Sequence, residues 1–346
     1  MNELFCELDE QARFEEFKDH PNEYVRRELV YTLTDENLIH TFKDDSDWSV
    51  RQAVVDKLSD TDELIRTFKD DPVWNVRLSV VRKVYDEQHD EQAIFNAFKD
   101  DEDVSIRLAV LDRLSDENLI YAFKDDPYWE VRKVVVDKLY DEKFIFENFK
   151  DDPDSNVRHR VVKKLSNHQL AFDLFKDDPD EYVRLELLDK LSDEQVIFNT
   201  FKNDPNRDVR LAVVDNLSDE RLIFNTFKDD SEERVRVAVV DKLSDDNLLV
   251  NTFKNDPSWL VREHVVNRIS DEQLMFETFK DDKDVDVRLA VIDKLSDVEL
   301  IKTFENDRVQ NVRDVVAEKL SEMATQDHAE FSDALAELSN ESLNLP

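Results

Sequence analysis

The chain has 346 residues, with 84 Asp and Glu against 47 Lys and Arg, for a formal charge of −37; it contains no glycine and a single cysteine. Without Gly no residue adopts positive φ free of strain, which excludes Gly-rich nucleotide-binding loops and disfavours β-rich folds. The negative charge disfavours direct contact with nucleic acid or with an anionic membrane surface.

Cys6 alone forms no intramolecular disulfide and no cysteine-based metal cluster. The opening Met1-Asn2-Glu3-Leu4-Phe5-Cys6-Glu7 lacks the basic start and apolar run of a signal peptide. No apolar run is long enough to cross a membrane, so a soluble cytoplasmic protein is expected. Residues 1–12 read as an N-terminal cap with a short amphipathic stretch at Leu4, Phe5 and Leu8.

A repeat then runs to residue 320. Phe recurs at 17, 42, 68, 98, 123, 149, 175, 201, 227, 253, 279 and 304, and an Arg preceded by Val or Ile recurs at 26, 51, 77, 107, 132, 158, 184, 210, 236, 262, 288 and 313. Most spacings are 25 or 26, and one is 30. Such self-similarity is the signature of stacked equivalent units. Each unit reads as two short helices. The first is expected to start at Ser-Asp-Glu, with Ser192 or Ser270 as N-cap and Gln195 or Gln273 closing a capping box. The second is expected to start at Asp-Pro, as in Asp152-Pro153 and Asp204-Pro205, with Asp as cap and Pro in the first turn. Seven of the eight prolines occupy this slot. Asn203, Asn255 and Asn306, before it, are the types that best tolerate αL when Gly is absent.

At 100° per residue, Val209, Val213, Val214 and Leu217 form one apolar stripe with Arg210 in its middle, while Asp215 points outward. Val196, Ile197 and Phe201 are the matching set on the first helix. Neither helix can bury its face alone, so twelve units should stack into an elongated rod on the order of 100 Å long. Extra residues at Asp86–His89 suggest a longer loop and a bend. The segment from Lys150 to Phe175 is the one repeat without excess acid, and Arg160 there should face Glu186 of the next repeat. Residues 321–346 read as a capping helix, with Phe331, Leu335 and Leu338 on one face, and a frayed tail.

The stretch Asp204-Pro205-Asn206-Arg207-Asp208-Val209-Arg210-Leu211-Ala212-Val213-Val214 resembles the leucine-rich repeat variant family and, more broadly, HEAT-like repeats. The resemblance covers roughly residues 10–320 and implies an all-α solenoid of the kind used mostly as interaction scaffolds. The variant family's repeats are about two residues shorter. Some of its members hold a cysteine-bound iron–sulfur cluster, which the lone Cys6 excludes here.

The repeated Arg reads as a structural Asp–Arg ladder, because a buried Arg must be paired. The scattered histidines and the serine column, with no repeated base beside it, offer no catalytic constellation, so neither enzyme activity nor a cofactor or metal is expected. Two columns stand out. Trp48, Trp74, Trp129 and Trp259 share one slot, which either packs between second helices or forms an aromatic docking strip. Asp56, Asp112, Asp137, Asp189, Asp215, Asp241 and Asp293 share another, either a solvated face or an acidic groove for a basic segment. The sequence therefore reads as a monomeric, non-enzymatic solenoid that binds a basic protein or peptide. Trp48, Trp74 and Trp129 would give apolar anchoring, and Asp189, Asp215 and Asp241 charge complementarity. The alternatives are a nucleic-acid mimic that occupies another protein's DNA- or RNA-binding site, and generic adaptation to high salt.

Overall fold

The computed structural model describes residues 8–325 and divides into two compact units at Leu187/Leu188. All regular structure among the described residues is helical, and the chain is an all-α solenoid of repeated helix pairs. Leu4, Phe5, Phe331, Leu335 and Leu338, assigned to terminal caps, lie outside the described residues, as does Cys6; residues 310–325 form one helix that passes without a break through position 320.

In each repeat the first helix usually has eight residues, as in Glu194–Phe201, and the second ten, as in Arg207–Asn216. The apolar stripes pack as their periodicity requires. Val209, Val213 and Val214 are fully buried, and Ile197, Phe201 and Leu217 are nearly so. The repeating Phe is buried in every repeat but the first, where Phe17 is half-buried. Successive second helices pack directly on one another, as Glu233–Lys242 on Trp259–Arg268, and first helices lean on the second helix of their own repeat, as Glu220–Phe227 does on Glu233–Lys242.

Three repeats are one residue shorter, those of Phe42, Phe123 and Phe304. Their first helices, Glu36–His40, Glu117–Tyr121 and Val298–Lys302, shrink to five residues. The missing residue is absorbed by i→i−3 hydrogen bonds that tighten the last turn, such as Phe42 N–H to the Ile39 carbonyl. At the same three places an aromatic of the preceding repeat meets the Phe edge-on: Phe14 with Phe42, Phe95 with Phe123, and Phe276 with Phe304.

Several expectations are corrected. The first helix is capped by the Asp of Ser-Asp-Glu. Asp193 accepts the N–H groups of Gln195 and Val196, and Asp271 that of Leu274. Ser faces the preceding repeat instead: Ser218 donates its N–H and Oγ–H to Glu194 at 3.0 Å. The second helix is capped by the residue after Pro, so that Asp154 caps Ser155–Lys164 and Asn206 caps Arg207–Asn216. The Asp before Pro is occupied elsewhere, because Asp152 accepts the Asp154 N–H and pairs with Arg132 of the preceding repeat.

The expected αL turns at Asn203, Asn255 and Asn306 are also absent. Among the described residues only His89 has positive φ, at 55°. That residue ends the fifteen-residue helix Trp74–Gln88, so the extra residues lengthen a helix and do not form a loop. Arg160 does not pair with Glu186. It reaches back to Asp137, and Glu186 takes His159 Nε2 at 3.0 Å.

Three polar seams tie neighbouring repeats. The first is the expected Arg–Asp ladder. Arg236 donates Nε and Nη2 to Asp256 of the next repeat at 2.7 and 2.8 Å, and Nη1 to the Asp230 carbonyl of its own turn at 2.8 Å. The same pattern joins Arg51 to Asp71, Arg132 to Asp152 and Arg262 to Asp282. This bidentate geometry satisfies a guanidinium that water barely reaches. The Arg288 guanidinium holds the Asp307 carboxyl below its usual range.

In the second seam a Lys at the tenth helix position donates to carbonyls closing the preceding second helix, as Lys242 does to Asp215 and Leu217. That placement also suits a cation at a helix C-terminus. The third is the Ser–Glu contact. At its head, Glu10 accepts the N–H groups of Asp35 and Thr34 and the Thr34 hydroxyl, which lower its pKa from 4.5 to about 2.

Candidate docking surface on the second helices

With core and seams assigned, the side chains left facing outward on a second helix are those at its first, second, fifth, sixth and ninth positions. The groove between Trp259–Arg268 and Val285–Lys294 shows how they meet. It has a volume of about 540 Å³ and is lined by Trp259, Glu263 and Asn267 of one helix and Asp286, Leu289, Ala290 and Asp293 of the next. Trp259 is 41% exposed. An indole, a leucine and an alanine thus form an apolar floor between three carboxylates. Trp259 occupies the slot shared by Trp48, Trp74 and Trp129 and is the one tryptophan of the second unit. Its shared slot was the available signal.

Trp48 and Trp74 open the adjacent second helices Trp48–Lys57 and Trp74–Gln88 and are 39% and 44% exposed. This is more than core packing between helices would leave. Trp129 opens Trp129–Lys138 and is half-buried, with the Lys133 ammonium 5.9 Å from its ring centre. These three belong to the first unit. Asp189, Asp215 and Asp241 belong to the second and are exposed near the ends of their helices, behind half-buried Leu211 and Val237. Asp241 is contacted by His264 Nδ1 at 3.0 Å. Trp48, Trp74 and Trp129 thus lie in one unit, and Asp189, Asp215 and Asp241 in the other.

Charge is not shared evenly between layers. Trp129–Lys138 has Arg132, Lys133 and Lys138 against Glu130 and Asp137, and Ser155–Lys164 has no acidic residue. The excess carboxylates lie in the turns and first helices. Asp100, Asp125, Asp151 and Asp229 are strongly exposed there, and each is paired with the Lys that precedes it. Clefts between successive turns, such as the 510 Å³ one beside Arg288 and Asp307, have guanidinium floors. Those donors are already taken: Arg288 gives Nε and Nη2 to Asp307 and Nη1 to the Asp282 carbonyl. The Arg288 guanidinium on the floor of this cleft is thus committed to the seam. Among the described residues no group of His, Cys, Asp and Glu has the arrangement of a metal site.

Comparison with known proteins agrees with the architecture. A solved structure described as a leucine-rich repeat variant with a novel repetitive structural motif matches with a TM-score of 0.51 and 25% identity, over 60% of this chain and 84% of that one. The chain is an α-solenoid repeat protein. No family model matches the solenoid, and no curated protein does. Among the described residues, no helix of the solenoid is long and apolar enough to cross a membrane.

Proposed function

We propose that this solenoid is a non-enzymatic scaffold that binds a basic protein or peptide on its second helices. The observation that carries the reading is the groove of Trp259 and Leu289, where an exposed apolar floor sits among Glu263, Asp286 and Asp293. A cationic side chain next to an apolar one would satisfy both halves of that surface. Asp189, Asp215 and Asp241 extend the same acid-beside-apolar pattern over neighbouring repeats, and Trp48 and Trp74 offer further apolar anchors in the first unit. A nucleic-acid mimic has less support, because a lysine accompanies each of the most exposed turn carboxylates described above.

The test is fluorescence anisotropy with a labelled peptide of alternating Lys pairs and Leu. Trp259→Ala and the pair Asp215→Lys with Asp241→Lys should each weaken binding about tenfold or more. The reading fails if both variants bind like the parent. Displacement of a DNA-binding protein's DNA by this chain would move the assignment to the mimic.

A further inference from the structure

The ninth-position column is not uniformly acidic. Repeats three and six carry Arg82 and Lys163 where most others carry Asp. Both are exposed, and neither has an ion-pair partner among the described residues. Near Lys163, Asp137 holds Arg160 and Glu186 holds His159. Across the groove, Lys133 lies over the Trp129 ring and has no carboxylate partner among the described residues. Trp129, Lys133 and Lys163 occupy the register positions that Trp259, Glu263 and Asp293 fill in the acidic groove of the second unit. The helix register is the same, but His159 and Arg160 stand where Leu289 and Ala290 do, and Asp137, in the place of Asn267, is held by Arg160.

We propose that the groove between Trp129–Lys138 and Ser155–Lys164 binds an acidic peptide segment, with Trp129 receiving an apolar side chain and Lys133 and Lys163 each receiving a carboxylate. Charge complementarity chooses the occupant. One ammonium over an aromatic ring and a second, unpaired one on the next helix favour discrete carboxylates separated by an apolar residue. A nucleic acid is a poorer fit. A single strand carries a phosphate at every nucleotide, and such a chain continuing past this groove would run against Asp112 and Glu181 on the flanking repeats. The proposal stands apart from the basic-partner reading, because Trp259, Asp215 and Asp241, on which that reading is tested, take no part in it.

The experiment uses the full chain and a labelled twelve-residue peptide in which Glu pairs flank a single Phe. A Lys-for-Glu version and an oligothymidylate of the same length serve as comparison probes. The acidic peptide should bind and change tryptophan emission, and the emission change should disappear in Trp129→Phe. Lys133→Glu with Lys163→Glu should weaken binding at least tenfold. If the charge-reversed pair folds poorly by circular dichroism, Lys133→Gln with Lys163→Gln replaces it, with a loss of threefold or more expected. The proposal is overturned if the acidic peptide does not bind, if it binds the Lys133/Lys163 variants as it binds the parent, or if the oligothymidylate binds more tightly through those same lysines.

Discussion

Substituting Asp256 by Ala should be among the most damaging single changes in the second unit. The side chain accepts two hydrogen bonds from Arg236 at 2.7 and 2.8 Å and one from the Ser258 N–H at 2.8 Å, and both ion-pair partners are 8% exposed. Removing one member of a buried pair costs about 3–5 kcal/mol, because the charge left behind is unpaired. Arg236 keeps its contacts to the Asp230 and Ser231 carbonyls, which places the expected loss toward the lower end, about 3 kcal/mol. Arg236→Met should cost a similar amount. The double variant should cost about 2 kcal/mol less than the sum of the singles, because neither buried charge remains. Urea unfolding followed by circular dichroism gives the stability changes. Repeat arrays can lose cooperativity, so hydrogen exchange over residues 233–268 is needed to locate the loss. Single costs below about 1 kcal/mol, or additive singles, would refute the view that the ladder is a coupled, desolvated seam.

The Ser–Glu seam is lighter and more exposed. Glu220→Ala, which removes the acceptor of the Ser244 N–H and Oγ–H, should lower stability by about 1 kcal/mol in the same unfolding assay. Acid should loosen these contacts. Glu10 has a folded pKa of about 2 against an ordinary 4.5, so its contribution is complete above pH 4.5 and is lost as pH falls toward 2. The Glu272 carboxylate is lowered in the same direction, first by the Ser296 N–H. A melting temperature that does not fall across that window, with a Glu10→Gln control, would contradict this. His89→Val should destabilise by about 1–2 kcal/mol, because a β-branched residue is forced to φ 55°. His89→Gly should be tolerated, although it gives up the stacking on Tyr85 at 5.3 Å. Comparing the two melting temperatures checks the left-handed cap.

Much of the fold is legible in single residues because each is repeated. Phe201, the Val209–Val213–Val214 stripe and the pairing of Arg210 with a turn carboxylate follow from periodicity and from the cost of burying an unpaired charge. The caps are less legible. Ser192 and Asp193 are both capping residues, and local chemistry does not rank them. The choice depends on a Glu in the preceding repeat, as with Glu194 and Ser218, 24 residues apart. Asp152 follows the same logic, since local chemistry suits it to a cap while Arg132 of a neighbouring repeat claims its carboxylate. The proposed docking surface is half legible. The tryptophan and aspartate columns are visible in the sequence, but Trp129 beside Lys133 and Trp259 beside Glu263 look alike until neighbouring helices supply the other wall.

The sequence by itself determined the helix pair, the number of repeats, the buried stripe and the need to stack, because these follow from local periodicity and from apolar surface that no single pair can cover. Tertiary structure decided which of two adjacent polar residues caps a helix and which reaches the next repeat. It also turned the insertion at residues 86–89 into extra helix, and it set which charges on the second helices are left without a partner. The physical reason is the same in each case. A carboxylate or an ammonium can serve several competing donors or acceptors at nearly equal energy, and only the repeat packed against it selects among them.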